Sequence, residues 1–168
     1  LRSDGPRMGF TCFSLEPEVA KILHNKKYNG GFEAIPVMFQ FGYQFEKQYL
    51  NEGNFQALFE FLPMVTGLDQ GLFIPSFTVM NGIRNNTSGW EFAFGPTVSI
   101  VKKAKGYYDA NDTWVKLDNH EVNSSGIPTE TRLDSRGEPA FSTGFVMAAG
   151  KTFKSGKLNI PVNLYVIP

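Results

Sequence analysis

Cysteine is nearly missing from this chain. Cys12 is the only one in 168 residues, which excludes an intrachain disulfide and a cysteine-built metal site. Net charge is missing too: sixteen basic residues balance sixteen acidic ones, which argues against a nucleic-acid binder held by phosphate attraction. No apolar run is long enough for a transmembrane helix, which leaves a transmembrane barrel open. The opening Leu1-Arg2-Ser3-Asp4-Gly5-Pro6 has no signal-peptide character and reads as the interior of a longer precursor. Charge is also scarce locally. From Ala34 to Val101 the only charged residues are Glu46, Lys47, Glu52, Glu60, Asp69, Arg84 and Glu91, of which Glu52 and Asp69 lie in turns.

What is present is phenylalanine, sixteen of them, at alternating positions. Ile35 to Phe45 reads I-P-V-M-F-Q-F-G-Y-Q-F, with Ile35, Val37, Phe39, Phe41, Tyr43 and Phe45 on one face and Pro36, Met38, Gln40, Gly42 and Gln44 on the other. Such period-2 alternation predicts a half-buried β-strand. It runs from Glu33 towards Leu50 and recurs in Phe55 to Thr66 and Trp90 to Val101, then from Phe141, with Phe59, Phe61, Trp90, Phe92, Phe94, Phe141 and Phe145 on the apolar face. Arg7 to Ser14, Leu72 to Arg84 and Leu158 to Pro168 complete seven strands in a single domain, residues 1–168. A short helix is expected at 17–25, and residues 102–138 read as one long polar loop. No repeat of solenoid length is visible.

Soluble sandwiches, lipocalin-like barrels and membrane barrels share this periodicity. The second face decides between them. A soluble barrel would need plentiful charge there, whereas this one carries Gly42, Ala93, Gly95, Ser99, Gly144, Ala148 and Gly150, small residues suited to a narrow lumen. Phe, Val and Ile would then face lipid. If the first strand runs outward, both long connections fall on the outer side and the short turns on the periplasmic side, as membrane barrels require. Seven is an odd count. Antiparallel closure therefore calls for an eighth strand absent from this sequence, or for another polypeptide at the edge. Pro63, Pro75 and Pro96 interrupt the strands and imply local bulges.

Candidate chemistry is sparse. Glu46, Glu60 and Glu91 share the lumen face with Gln40 and Gln44, where Arg84 is a potential counter-ion; the plain reading is polar filling, not acid–base work. Asp109, Asn111 and Asp112 have calcium-type oxygens but lack the Gly and distal Glu of an EF-hand, which favours a solvated turn. His120 and Ser124 fit no triad motif. His24 ends the short helix, Cys12 reads as a small buried hydrophobe, and Tyr49, Trp90, Tyr107, Tyr108 and Tyr165 fit interfacial girdles.

Three segments, G-W-E-F-A-F-G-P-T-V-S-I, I-P-S-F-T-V-M-N-G-I-R and L-N-I-P-V-N-L-Y-V-I-P, resemble a group of uncharacterised bacterial outer-membrane β-barrel domains over roughly Phe39 to Pro168, the long loop excepted. The resemblance implies a Ser/Gly turn and one last strand after I-P-V-N-L, from which this sequence departs by stopping early, and it carries no catalytic residues to transfer. The expectation is an all-β, antiparallel up-and-down transmembrane β-barrel of about eight strands. Its role is structural or accessory, including a subunit of a larger envelope complex in the outer membrane of a Gram-negative bacterium. It needs no cofactor or metal, and its partners are outer-membrane lipid and other envelope proteins, with no nucleic acid. The alternatives are a soluble lipocalin-like barrel around an apolar ligand and a membrane-rim lipid-modifying enzyme.

Overall fold

The computed structural model describes residues 3–12, 17–118 and 123–168. The chain forms β1 (Gly5–Cys12), α1 (Pro17–His24), β2 (Val37–Glu52), β3 (Phe55–Thr66), β4 (Ile74–Asn85), β5 (Trp90–Tyr108), β6 (Trp114–Lys116), β7 (Glu130–Leu133), β8 (Glu138–Ser155) and β9 (Leu158–Val166). One antiparallel sheet in the order β1-β2-β3-β4-β5-β8-β9 curls into a half-barrel with up-and-down connectivity. The alternation expected from the sequence sets its two faces. On β5, for example, Glu91, Ala93, Gly95 and Thr97 are buried, while Trp90, Phe92 and Phe94 are exposed. Phe13 and Ser14, assigned to the first strand from sequence, lie outside the described residues.

Residues 102–138 correct the expectation of one long loop. β5 continues to Tyr108, with β7 pairing along Lys103 to Gly106 and β6 along Gly106 to Tyr108. Lys103 also pairs with Glu138 of β8, so β7 and β8 hold opposite edges of β5, and Gly106 likewise sits between β6 and β7. Backbone pairing over a polar sequence leaves no apolar alternation to detect.

The prolines do not make bulges, which corrects a second expectation. The β2–β3 ladder skips the residues between Gly42↔Met64 and Phe45↔Phe61, and the β4–β5 ladder skips those between Thr78↔Thr97 and Asn81↔Phe94. Register is identical on both sides of each gap. Pro63 and Pro96 lie in these gaps, each removing a donor without displacing its strand. Pro75 stands one residue before the β4–β5 ladder begins at Ser76. The one register shift in the β2–β3 ladder falls at Gln48/Leu50. Gly42 borders the first gap and Gly95 lies in the second, and a Cβ on either would strike a backbone carbonyl oxygen, of Pro63 or Val79. Proline and glycine together thus let the sheet bend sharply at two corners.

Side chains fill the concave face in layers. At the loop end α1 packs Leu23 against Ala34 and Met38, its last turn held by Phe32 N–H to Ile22 O and Ala34 N–H to Leu23 O. Leu62, Met80, Ala93 and Val146 pack together with Met64, Ala148 and Tyr165. Tyr165 therefore points inward, where it accepts a hydrogen bond from Asn163 Nδ2 at 3.0 Å, and is not a girdle residue as its place near a strand end suggested. Cys12 is exposed on an edge strand, contrary to the expectation of a buried hydrophobe.

The open edges are β1 and β9, which run in the same direction because an even number of antiparallel steps separates them. Direct pairing between them would be parallel. An antiparallel closure takes one further strand. Backbone geometry also shows which groups face that seam. Phe39 O accepts from Gly67 and Glu46 N–H donates to Asp4, so odd-numbered β2 residues turn their backbone towards β3 and even-numbered ones towards β1. Pro6 opposite Tyr43 consequently directs its hydrogen-free nitrogen to the seam. By the same logic, Thr152 N–H donates to Gly89 O, so Pro161 opposite Thr152 also faces the seam. Proline at such positions is how edge strands avoid indiscriminate pairing.

The corner geometry has a direct test. Gly95→Val should lower stability by about 1–3 kcal/mol through the clash with the Val79 carbonyl, read as a drop in urea midpoint; an unchanged midpoint would mean that the corner is not tight.

Candidate functional site

Register brings together four charged side chains that are distant in sequence. Glu46 lies opposite Glu60 across β2–β3, Gln56 opposite Arg84 across β3–β4, and Arg84 opposite Glu91 across β4–β5. All four charged groups are buried on the concave face near the turn end. Arg84 Nε donates to Glu91 Oε2 at 2.5 Å and its Nη1 to Glu46 Oε2 at 3.0 Å, while Nη2 meets the second Glu46 oxygen and Glu91. The fork geometry of the guanidinium allows this two-sided grip.

Gln44 extends the network. Its Nε2 donates to Glu60 and, at 3.4 Å, to Glu46 Oε1, and its Oε1 accepts from Arg7 Nε at 3.0 Å. Arg7 Nη2 donates to Ser3 O at 2.6 Å, and Ser3 N–H returns to Glu46 Oε2 at 2.9 Å. One connected set of bonds therefore spans β1 to β5. The Glu46, Glu60 and Glu91 oxygens lie within 4.8 Å of one another, the closest approach to a three-ligand cation site among the described residues. Arg84 already occupies both carboxylate oxygens of Glu46 and Oε2 of Glu91. The arrangement fills and fastens the concave face, and among the described residues no histidine joins it.

The sequence-level lumen set holds together in space. Gln44, Glu46, Glu60 and Glu91 are buried, and Gln40 is half-buried between Thr11 and Thr66. Of the residues assigned to lipid, Ile35, Val37, Phe41, Tyr43, Phe45, Phe59, Trp90, Phe92, Phe94, Phe141 and Phe145 are exposed, and Phe39 and Phe61 half-buried. Ile35 precedes β2. Asp109 forms a turn of its own, its Oδ1 accepting the N–H groups of Asn111 at 2.8 Å and Thr113 at 2.9 Å. Ser124 is exposed, and His120 lies outside the described residues.

A second knot, at the loop end, escaped the sequence reading. Asp134 is fully buried; its Oδ2 accepts from Trp114 Nε1 at 3.0 Å and from Arg136 Nη2 at 2.8 Å, and its Oδ1 from Arg136 Nε at 3.0 Å and the Arg136 N–H at 2.9 Å. It sits where a side chain on Gly30 would stand. Ser135 N–H donates to Gly30 O and Arg136 Nη1 to Tyr28 O, so the two long connections are tied to each other. Beside them Arg132 lies over the Trp114 ring at 4.4 Å and bonds Tyr108 Oη at 2.8 Å. The only sequence signal is D-S-R-G at 134–137, an Asx-turn string inside a polar stretch. No protein-family model, curated protein or solved structure matches the chain.

Two outcomes follow from these knots. Arg84→Met strands buried carboxylates and should cost about 3–5 kcal/mol, measured by urea unfolding at neutral pH; a loss within error would mean that Arg84 is not the fastener. At the loop end, the Arg136 and Trp114 donors overcome burial and hold the Asp134 carboxyl down, from 3.8 to about 2. A depressed pKa stabilises above the unfolded value and loses that contribution as pH falls through the folded one. Loop-end order, read by Trp114 fluorescence, should therefore be complete above about pH 4 and decay towards pH 2. In Asp134→Asn the decay in this window should vanish.

Proposed function

We propose that this chain is an integral outer-membrane β-barrel component of a Gram-negative envelope, structural or accessory in role and not an enzyme, whose principal partner is lipid. One observation carries the reading: the polarity is inverted. The largest fully buried side chains include Arg84, Gln44, Glu60 and Asp134, while Phe92, Phe94 and Phe41 are 62%, 58% and 42% exposed on the convex face. A water-facing protein rarely leaves so continuous an apolar surface, and a bilayer favours it. The seven strands β1 to β5, β8 and β9, from eight to nineteen residues, reach or come close to the length needed to cross hydrocarbon. The tied loop end and the short turns at the other end support the topology that membrane barrels use.

In hydrocarbon, an unpaired strand edge is costly. The reading therefore includes a filled seam, and the parallel sense of β1 and β9 favours one antiparallel strand between them, from this polypeptide or another envelope protein. The lipocalin-like alternative needs the phenylalanines around an enclosed ligand, and the convex placement of Phe41, Phe92 and Phe94 does not favour it. A rim enzyme built on the glutamates would use groups already bonded to Arg84 and Gln44.

Detergent dependence tests this. The protein should remain in the membrane fraction through a carbonate wash and be extracted only with detergent, and Phe45→Lys, opposite Phe61 in mid-strand, should lower stability in lipid by about 2–4 kcal/mol. Recovery as a folded monomer in plain aqueous buffer would overturn the proposal.

A further inference from the structure

The turn end of the sheet bears a positive patch that the lumen network does not use. Lys151 on β8 lies opposite Trp90 on β5, its ammonium 5.2 Å from the Trp90 ring centre and 5.5 Å from that of Phe153. Both rings are on the convex face, 49% and 51% exposed. Lys154 Nζ donates to Asn86 O at 3.2 Å, which brings the β8–β9 turn beside the β4–β5 turn, and Lys157 is exposed in the same hairpin. These turns read N-N-T-S-G and K-S-G-K, with no acidic residue in either. Among the described residues none of the three lysines pairs with a carboxylate. The loop end differs, since Asp134 and Arg136, and Lys116 and Asp118, pair with each other there.

We propose that Lys151, Lys154 and Lys157 form a binding site for the phosphate headgroup of an anionic phospholipid, with its acyl chains against Trp90, Phe92 and Phe153. The inference rests on the membrane reading and adds ligand selectivity to it. Cation–π contact with two rings fixes the Lys151 ammonium at the boundary between apolar wall and water while leaving N–H donors free. That boundary is where tryptophan and lysine anchor at a bilayer surface and where lipid phosphates lie. A soluble phosphate compound would gain nothing from the exposed rings beside the lysines, whereas a lipid uses both. An anionic headgroup complements the charge of the patch, each nearby lysine contributing roughly a fivefold gain in binding.

The test uses the purified chain in detergent, with phosphatidylglycerol or phosphatidylcholine of matched acyl chains added and retained lipid counted by native mass spectrometry. Wild type should retain phosphatidylglycerol preferentially and retain no added inorganic phosphate. Lys151→Gln should lower phosphatidylglycerol retention about fivefold. The triple Lys151→Gln, Lys154→Gln, Lys157→Gln variant should retain the two lipids equally, and Lys151→Arg should restore the preference. Lys47→Gln, four strands away on β2 at the same end, should change nothing. A triple variant that keeps the preference, or an equal loss from Lys47→Gln, would overturn the site while detergent dependence still upheld the barrel. A chain that stays folded and monomeric without detergent would remove both.

Discussion

The guanidinium of Arg84 has to be satisfied in a space closed to water, and much of the sheet is arranged to do so. A buried cation without partners would cost several kcal/mol, so the strands carrying its acceptors cannot slip. A one-residue shift of β2 would turn Glu46 to the convex face, and the same shift of β5 would turn Glu91. Register in β2, β4 and β5 is therefore specified twice, by apolar residues outside and by this network inside. Gln44 and Arg7 carry the constraint to β1, the edge strand. Glu60 is tied to the same set through Gln44 and lies against Glu91.

The network also explains why so much was legible in the sequence. Period-2 alternation on a sheet with unlike faces is a strong local signal, and β3 spans Phe55–Thr66 as read from the pattern. The lumen set followed from the same pattern, because every second residue of a strand shares a face. Which inward residues would meet was beyond it. Arg84 and Glu91 sit on adjacent strands joined by a tight turn and are nearly readable, whereas Arg84 and Glu46 meet only because β3 places them across the curl. What failed was whatever depends on distant backbone. β6 and β7 are strands of three and four residues, too short to show a period, and they pair only with the extension of β5. The place of Tyr165 near a strand end suggests a girdle residue, yet strand parity points it inward, alternating with the exposed Leu164 and Val166. Asp134 gathers donors from β6 and from its own turn, and no spacing rule links residues 28, 114 and 136.

Proline serves two purposes in this sheet, and the difference is one of direction. Pro63 and Pro96 direct their missing donors into internal ladders, where glycine on the facing or neighbouring position accepts the closer approach and the sheet bends. Pro6 and Pro161 direct theirs outward at the seam. A proline in an internal ladder is costly unless the lost bond coincides with a needed corner, and here one gap is bordered by Gly42 and the other contains Gly95. At the seam the same residue reduces the set of strands able to pair with both edges. A partner must tolerate one absent donor on each side, which makes the seam selective before any side chain is considered.

The two ends of the sheet differ for a reason that follows from connectivity. The loop end carries long connections and can satisfy its charges internally: the Asp134 knot joins both of them and α1 covers the mouth. The turn end has only hairpins, too short to fold back on themselves, so a lysine there finds an aromatic ring or a carbonyl and little else. Lys151 on Trp90 and Lys154 on Asn86 O are what such geometry permits. Charge that the chain cannot neutralise is left to the surroundings. On the proposed membrane reading, an apolar wall flanked by tryptophan and phenylalanine meets surroundings that supply both an anion and hydrocarbon.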